Sequence, residues 1–198
     1  MPNSRNPIVV MGLGNPGAEF ERTRHNVGYH VVNLVLDEEH RELRRGFLRK
    51  YSYCELTDDR GRHSLVLARS NSYINRTGDA IPQMLRRYKA APDRLIVVLD
   101  NADLAPGICR MKRGGGNAGH NGLKSVIGAL GHGDFHRFYI GVGRPPPDTS
   151  LVDHVLGVPD MDEQAGIDSA CMRASRGILE LSYKPIARVM EEINSRGT

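Results

Sequence analysis

The chain has 198 residues, enough for one domain with a substantial core, and residues 1–198 are expected to fold as a single unit. Lys and Arg total 27 against 23 Asp and Glu, giving a net charge of +4 and a pI near 9.1, which permits an anionic partner without demanding one. No apolar run approaches a membrane span, the N-terminal stretch lacks an apolar segment of signal-peptide length, and Cys54, Cys109 and Cys171 are odd in number and scattered; these features set aside a membrane protein and a disulfide scaffold, leaving a cytoplasmic protein with reduced thiols.

Residues 1–6 read as a polar tail, and Ile8-Val9-Val10-Met11 as a short buried strand. The strand runs into Gly12-Leu-Gly-Asn-Pro-Gly17 and then Thr23-Arg-His-Asn-Val-Gly28. A helix is expected from about Arg24 to Glu39, with Val27, Val31, Leu34 and Val35 on one face, followed by a charged stretch to Arg45. Phe47 to Leu56 reads as a strand, Asp58-Asp59-Arg60-Gly61 as a hairpin-like turn and Ser64 to Ala68 as the returning strand. Ser70 to Gly78 is polar and irregular. The next helix carries Ile81, Met84, Leu85 and Tyr88, with Pro82 in its first turn, where a missing N–H costs nothing.

Leu95 to Leu99 are five consecutive apolar residues ending on Asp100, the form of a central strand buried on both faces. Ile108 to Lys112 reads as another strand, and the glycine-dense segment Gly114 to Gly122 opens a helix marked by Leu123, Val126, Ile127 and Leu130. Phe138 to Val142 reads as a strand and Pro145 to Asp148 as a stiff loop. A long helix carries Ile167, Ala170, Cys171, Ala174 and Ile178, and Pro185 starts a last one with Ile186, Val189, Met190 and Ile193. Strands alternate with helices but a hairpin interrupts them. The fold class is therefore α/β: one globular domain with a twisted mixed sheet surrounded by helices.

Gly12, Gly14 and Gly17 fit the dinucleotide-binding spacing G-x-G-x-x-G, but Pro16 removes an N–H from the loop, and the periodic helix begins only near Arg24. A nucleotide cofactor is not expected. His25, at a strand-to-helix junction, and Asp100, at a strand end, occupy positions where a base and the carboxylate that orients it could meet; equally, they could be a solvated histidine and an acid that never touch. Asn121 suits a helix N-cap, as does Asn75 before the second helix. His132 and His136 have a zinc-like spacing without a third ligand, and no metal is expected. There is no Gly-x-Ser-x-Gly elbow and no cysteine beside a histidine in sequence, so the chemistry left is water activated by a general base.

Several of these segments, in order, resemble the signature of bacterial-type peptidyl-tRNA hydrolases. The resemblance covers Ile8 to Gly28, Ser72-Tyr-Ile-Asn-Arg-Thr-Gly78, Leu99-Asp-Asn-Ala-Asp-Leu-Ala-Pro-Gly107, Gly114 to Lys124, Ile140-Gly-Val-Gly-Arg-Pro145 and, as a closing loop, Leu151 to Gly157. It implies cleavage of the ester that joins a peptide to the 3′ ribose of tRNA, with no cofactor and no metal, by a monomer whose partner is peptidyl-tRNA. It implies that His25 is the base and Asp100 its orienting acid. It places Asn15, Phe20, Asn75, His120 and Asn121 against the substrate, and makes Lys112 a grip on tRNA phosphate; Arg113 and Arg144, the other cations nearest in sequence, are expected at tRNA phosphate with it, and Arg137 lies on the approach to Tyr139.

The sequence departs from the family pattern at Phe20 (often Tyr), Ile74 (often Met), Leu99 (often His), Ala105 (often Pro) and Tyr139, which stands where well-known members carry an Arg that helps clamp phosphate. These changes put peptide packing and tRNA anchoring in doubt and leave the core catalytic positions intact. A binding-only relative, of the kind that serves RNA splicing in plastids, is the alternative reading.

Overall fold

Ile8–Gly12 (β1) is buried along its whole length, and its side chains divide by the two-residue period of a strand. Ile8 and Val10 face one core, while Val9 and Met11 face another on the opposite side of the sheet. A strand this apolar on both faces is stable only in the middle of a sheet covered by helices on both sides. The computed structural model, which describes residues 6–46, 48–57 and 63–195, places it there.

After β1 come helix α1 (Val27–Glu38), the short strand β2 (Arg44–Arg45), strands β3 (Tyr51–Thr57) and β4 (His63–Ser70), helix α2 (Ile81–Tyr88), and strands β5 (Leu95–Asn101) and β6 (Cys109–Arg113). Helix α3 (Asn121–Leu130), strand β7 (His136–Gly141) and helices α4 (Leu151–Leu156), α5 (Met161–Glu180) and α6 (Ile186–Ser195) complete the chain. The sheet order is β2-β3-β4-β1-β5-β7-β6. β1, β4, β5 and β7 are parallel; β3 runs against β4, and β6 against β7. This is the mixed sheet expected from a hairpin inserted among βα units.

One core packs α1, α5 and α6 against the sheet, and the other packs α2 and α3 against its reverse. The chain leaves β1 for β4 over the α1 side and leaves β4 for β5 over the α2 side. Connections therefore diverge on either side of the C-terminal end of β1, opening the crevice in which α/β sheets bind their ligands.

The strand-to-helix junction depends on glycine. A Cβ on Gly28 would lie 2.4 Å from the Leu13 nitrogen, the Leu13 oxygen and the Val98 oxygen, so α1 abuts the sheet backbone directly. Gly28→Ala is expected to lower stability by about 1–3 kcal/mol through overpacking, measured as a lower denaturant midpoint. An unchanged midpoint would mean that α1 moves off the sheet at no cost.

The structure shifts several expected boundaries. α1 is preceded by a 3₁₀ turn over Arg24–Asn26, a second 3₁₀ segment spans Ile74–Asp79, and β7 begins at His136, before the expected Phe138. Leu151 to Leu156, expected as a loop, is a helix: the Ser150 side chain caps it by accepting from the Asp153 N–H at 3.1 Å. The hairpin turn at 58–61, Phe47 and most of the N-terminal tail lie outside the described residues. Among the described residues no helix is long and apolar enough to cross a membrane.

Candidate active site

The loop after β1 lies flat on α1, because a Cβ at Gly14 would come 2.7 Å from the Tyr29 ring. Asn26 clamps the two segments of the first motif together: its Oδ1 accepts from the Asn15 N–H at 2.8 Å, and its Nδ2 donates to the Asn15 carbonyl at 3.0 Å. The Asn15 side-chain oxygen in turn accepts from the Ile74 N–H at 2.8 Å. With that oxygen engaged, the Asn15 group left for the cleft is its amide NH₂, a donor.

His25 sits in the 3₁₀ turn, nearly buried, beside the Asp100 carboxylate at the end of β5. The expected pair forms: His25 Nδ1 lies 2.8 Å from Asp100 Oδ1. The same oxygen is 3.1 Å from His120 Nε2, and the two rings are 4.9 Å apart between centroids.

Hydrogen-bond partners assign the two histidines different roles. His120 is the N-cap of α3, where its Nδ1 accepts from the Leu123 N–H at 3.2 Å. Its proton is therefore on Nε2 and donated to Asp100, so both ring nitrogens are engaged. His25 donates its Nδ1 proton to Asp100, leaving the Nε2 lone pair open. Of the two, only His25 can take a proton from water without breaking a bond already made.

Asp100 is 4 % exposed. Burial alone would raise its carboxyl, but the charges of His120 and His25 and the hydrogen bonds from both outweigh this and hold it well below the usual carboxylate range. It stays anionic where a histidine base works and can stabilise the imidazolium that forms. The cysteines offer no competing nucleophile: all three are buried, and desolvation pushes the Cys109 thiol up to about 12.

A cleft of about 470 Å³ opens over this group. Asn15, Asn75 and Asn121 supply polar lining, and Phe20, Tyr73, Leu99 and Tyr139 supply apolar and aromatic lining. Phe20 meets Tyr73 edge to face, with ring centroids 6.1 Å apart. α4 forms a further wall through Leu151, Val152, Val155 and Leu156. Neither Asn75 nor Asn121 caps a helix: Asn75 lies inside the 3₁₀ segment, and His120 takes the cap that Asn121 was expected to fill.

Arg24, next to His25, ties that wall in place. Its Nη1 donates to the His154 carbonyl at 3.1 Å, its Nη2 is paired with Glu163 at the start of α5, and its backbone N–H donates to the Gly157 carbonyl at 3.2 Å. Sequence reasoning missed Arg24 and the helical form of the α4 wall; Asn26 gathers with Asn15 and His25 at the strand end, as expected. The Ser150-x-x-Asp153 spacing is the signal that could have found α4.

The basic residues divide. Lys112 is exposed on edge strand β6, opposite Arg137 in register. Arg113 is bound through two hydrogen bonds to Asp134 at 2.7 and 2.8 Å, and Arg144 to Asp103 at 2.8 Å, so both charges expected to serve as free cations are already paired at the surface. Arg137 does not approach solvent. It is 1 % exposed and donates to the carbonyls of Gly115, Gly116 and Gly133, shaping the glycine-rich turn. Its Nη1 also donates to the Tyr139 hydroxyl at 3.1 Å, which leaves the tyrosine proton available to the cleft.

Among the described residues, His25, Asp100 and His120 are the group with ligand atoms close enough, within 4.8 Å of one another, to hold a metal ion. A cation there would have to displace the protons shared by Asp100 with both rings. His132 does not converge with His136: its Nδ1 accepts from the Asp134 N–H at 3.1 Å, while His136 is buried on β7.

The peptidyl-tRNA hydrolase family profile matches residues 9–198. The chain is 39% identical over 193 residues to peptidyl-tRNA hydrolase of Chromohalobacter salexigens, covering 94% of this chain and 97% of the relative. It is 41% identical over 170 residues to that of Mycobacterium bovis, covering 85% and 87%. The crystal structure of peptidyl-tRNA hydrolase from Acinetobacter baumannii superposes with a TM-score of 0.85 at 31% identity, covering 97% of this chain and 96% of that one.

Proposed function

Because the chain belongs to the peptidyl-tRNA hydrolase family, we propose that it cleaves the ester between a peptide, or an N-blocked amino acid, and the 3′ ribose of tRNA, with His25 activating the attacking water. The observation that carries this reading is the His25–Asp100 bond at 2.8 Å with His25 Nε2 left open. Nε2 takes a proton from water as the water oxygen attacks the ester carbonyl carbon. The tetrahedral oxyanion is met by preorganised amide donors, led by the Asn15 NH₂, with Asn75 and Asn121 within the same cleft. The intermediate collapses, the carbon–oxygen bond to the ribose breaks, and the imidazolium returns its proton to the ribose oxygen. Free peptide and tRNA leave. An ester is activated enough that no covalent acyl-enzyme is required.

Hydrolysis of N-blocked aminoacyl-tRNA by the purified protein tests the reading, and tRNA binding without turnover would leave a binding-only role in its place. Lys112 is the proposed grip on tRNA phosphate. Lys112→Ala is expected to weaken tRNA binding and to flatten its dependence on log salt by roughly 0.7 to 0.9 for the phosphate lost. Turnover of a minimal ester without the tRNA body should not change. Affinities measured at several salt concentrations check this, and an unchanged slope removes Lys112 from the interface.

A further inference from the structure

A second cavity, of about 520 Å³, lies on the other side of Asn15 from the cleft, between the first loop, α1 and the ends of β2 to β4. Its chemistry is different. Where the cleft is walled by leucine, valine and aromatic rings, this cavity presents Arg69, Arg45, Asn33, Asn71 and Ser52.

Arg69 is fixed there. Its Nη1 donates to Asn33 Oδ1 at 3.0 Å, and its guanidinium lies 4.9 Å from the centroid of the Tyr29 ring. Burial lowers its pKa, and the opposing influences of Tyr29 and Glu21 do not offset this. Among the described residues neither Arg69 nor Arg45 is ion-paired. Glu21 is exposed and His30 is 3.5 Å from Asp168, so the net character of the cavity is cationic. A guanidinium held by one hydrogen bond and against an aromatic ring has lost much of its freedom before any ligand arrives, and its remaining N–H groups match the spacing of phosphate oxygens.

We propose that this cavity binds backbone phosphate of the substrate's RNA strand next to the scissile ester, with Arg69 as the fixed ligand and Arg45 closing over it from the rim. The inference rests on the functional reading above. Asn15 lines both cavities, so an ester carbonyl at Asn15 and His25 has its two substituents directed into unlike surroundings. The acyl part, which varies from one substrate to another, meets the apolar cleft. The ribose side, whose next group is an anionic phosphodiester, meets the arginines.

The test compares wild type with Arg69→Gln, Arg69→Lys and the rim variant Arg45→Gln on two esters, N-blocked aminoacyl-tRNA and N-blocked aminoacyl-adenosine lacking any phosphate. For the tRNA ester, Arg69→Gln is expected to raise KM about 10- to 150-fold, the range for a charge-assisted hydrogen bond, and to reduce the salt slope by roughly 0.7 for a single strand. Arg69→Lys should recover part of the loss and Arg45→Gln should show a smaller rise. The phosphate-free ester should be turned over equally by all four proteins. Equal loss on both esters would assign Arg69 to the fold and overturn the proposal, as would an unchanged KM and slope in both glutamine variants. Inhibition by inorganic phosphate that vanishes in Arg69→Gln, without any change in KM for the tRNA ester, would assign the cavity to the free ion and overturn the backbone assignment. Wild type inactive on both esters would overturn the functional reading itself, a result distinct from all of these.

Discussion

His25→Ala is expected to lower turnover of N-blocked aminoacyl-tRNA by about 10²–10⁴-fold, the usual worth of a positioned general base, while tRNA affinity stays close to wild type. The substitution removes the one open ring nitrogen over the cleft. His120 cannot take its place, because its Nδ1 is held by the Leu123 N–H and its Nε2 proton by Asp100. A variant that hydrolyses as fast as wild type would remove His25 from the mechanism.

Asp100→Asn should carry the next largest effect. The amide oxygen can still accept from both rings, so the shape of the site survives while its charge does not. A hydrogen bond to a charged group is worth about 1.5–3 kcal/mol, which corresponds to a loss of roughly 10- to 150-fold if it is realised only as His25 becomes an imidazolium. The same substitution has a signature in stability. The Asp100 carboxyl is held below its unfolded value, so its ionised form stabilises the fold above about pH 4, and that contribution is lost as pH falls toward the depressed folded value. The stability difference between wild type and variant should therefore narrow on the acid side. Initial rates and denaturant midpoints at two pH values measure both effects; wild-type turnover in the variant would reassign Asp100 to a purely structural place at the end of β5.

The parts of the molecule legible in the sequence were those in which one residue type answers one local demand. Five apolar residues in a row before Asp100 fit only a strand covered on both faces, and β5 is that strand. A glycine-dense turn opening a periodic helix gave α3 to within a residue. The meeting of His25 with Asp100 was legible as a possibility, because both fall at ends that a parallel sheet brings together, but their distance depends on Gly28, whose tight contact with Leu13 and Val98 has no mark in the local pattern. Arg137, placed in the sequence only on the approach to Tyr139, is buried for a related reason. Two carbonyls of the distant glycine-dense turn, Gly115 and Gly116, and the nearby Gly133 carbonyl converge on its guanidinium, which no local pattern marks. The surface pairing of Arg113 and Arg144, expected at tRNA phosphate, had no mark in the sequence either, because Asp134 and Asp103 reach them only after the fold is formed.

The anchoring of α4 through Arg24 makes the width of the cleft and the aim of the base a single mechanical variable. The residue that braces the wall is the covalent neighbour of His25, the proposed base, and the same guanidinium is attached to His154 on α4 and Glu163 on α5. A bulky acyl chain that pushes Leu151 and Val152 outward would pull on the turn that carries His25. Tolerance for large side chains beside the ester is therefore obtained at the expense of registry between imidazole and carbonyl, and selectivity among peptides would surface as differences in turnover more than in affinity.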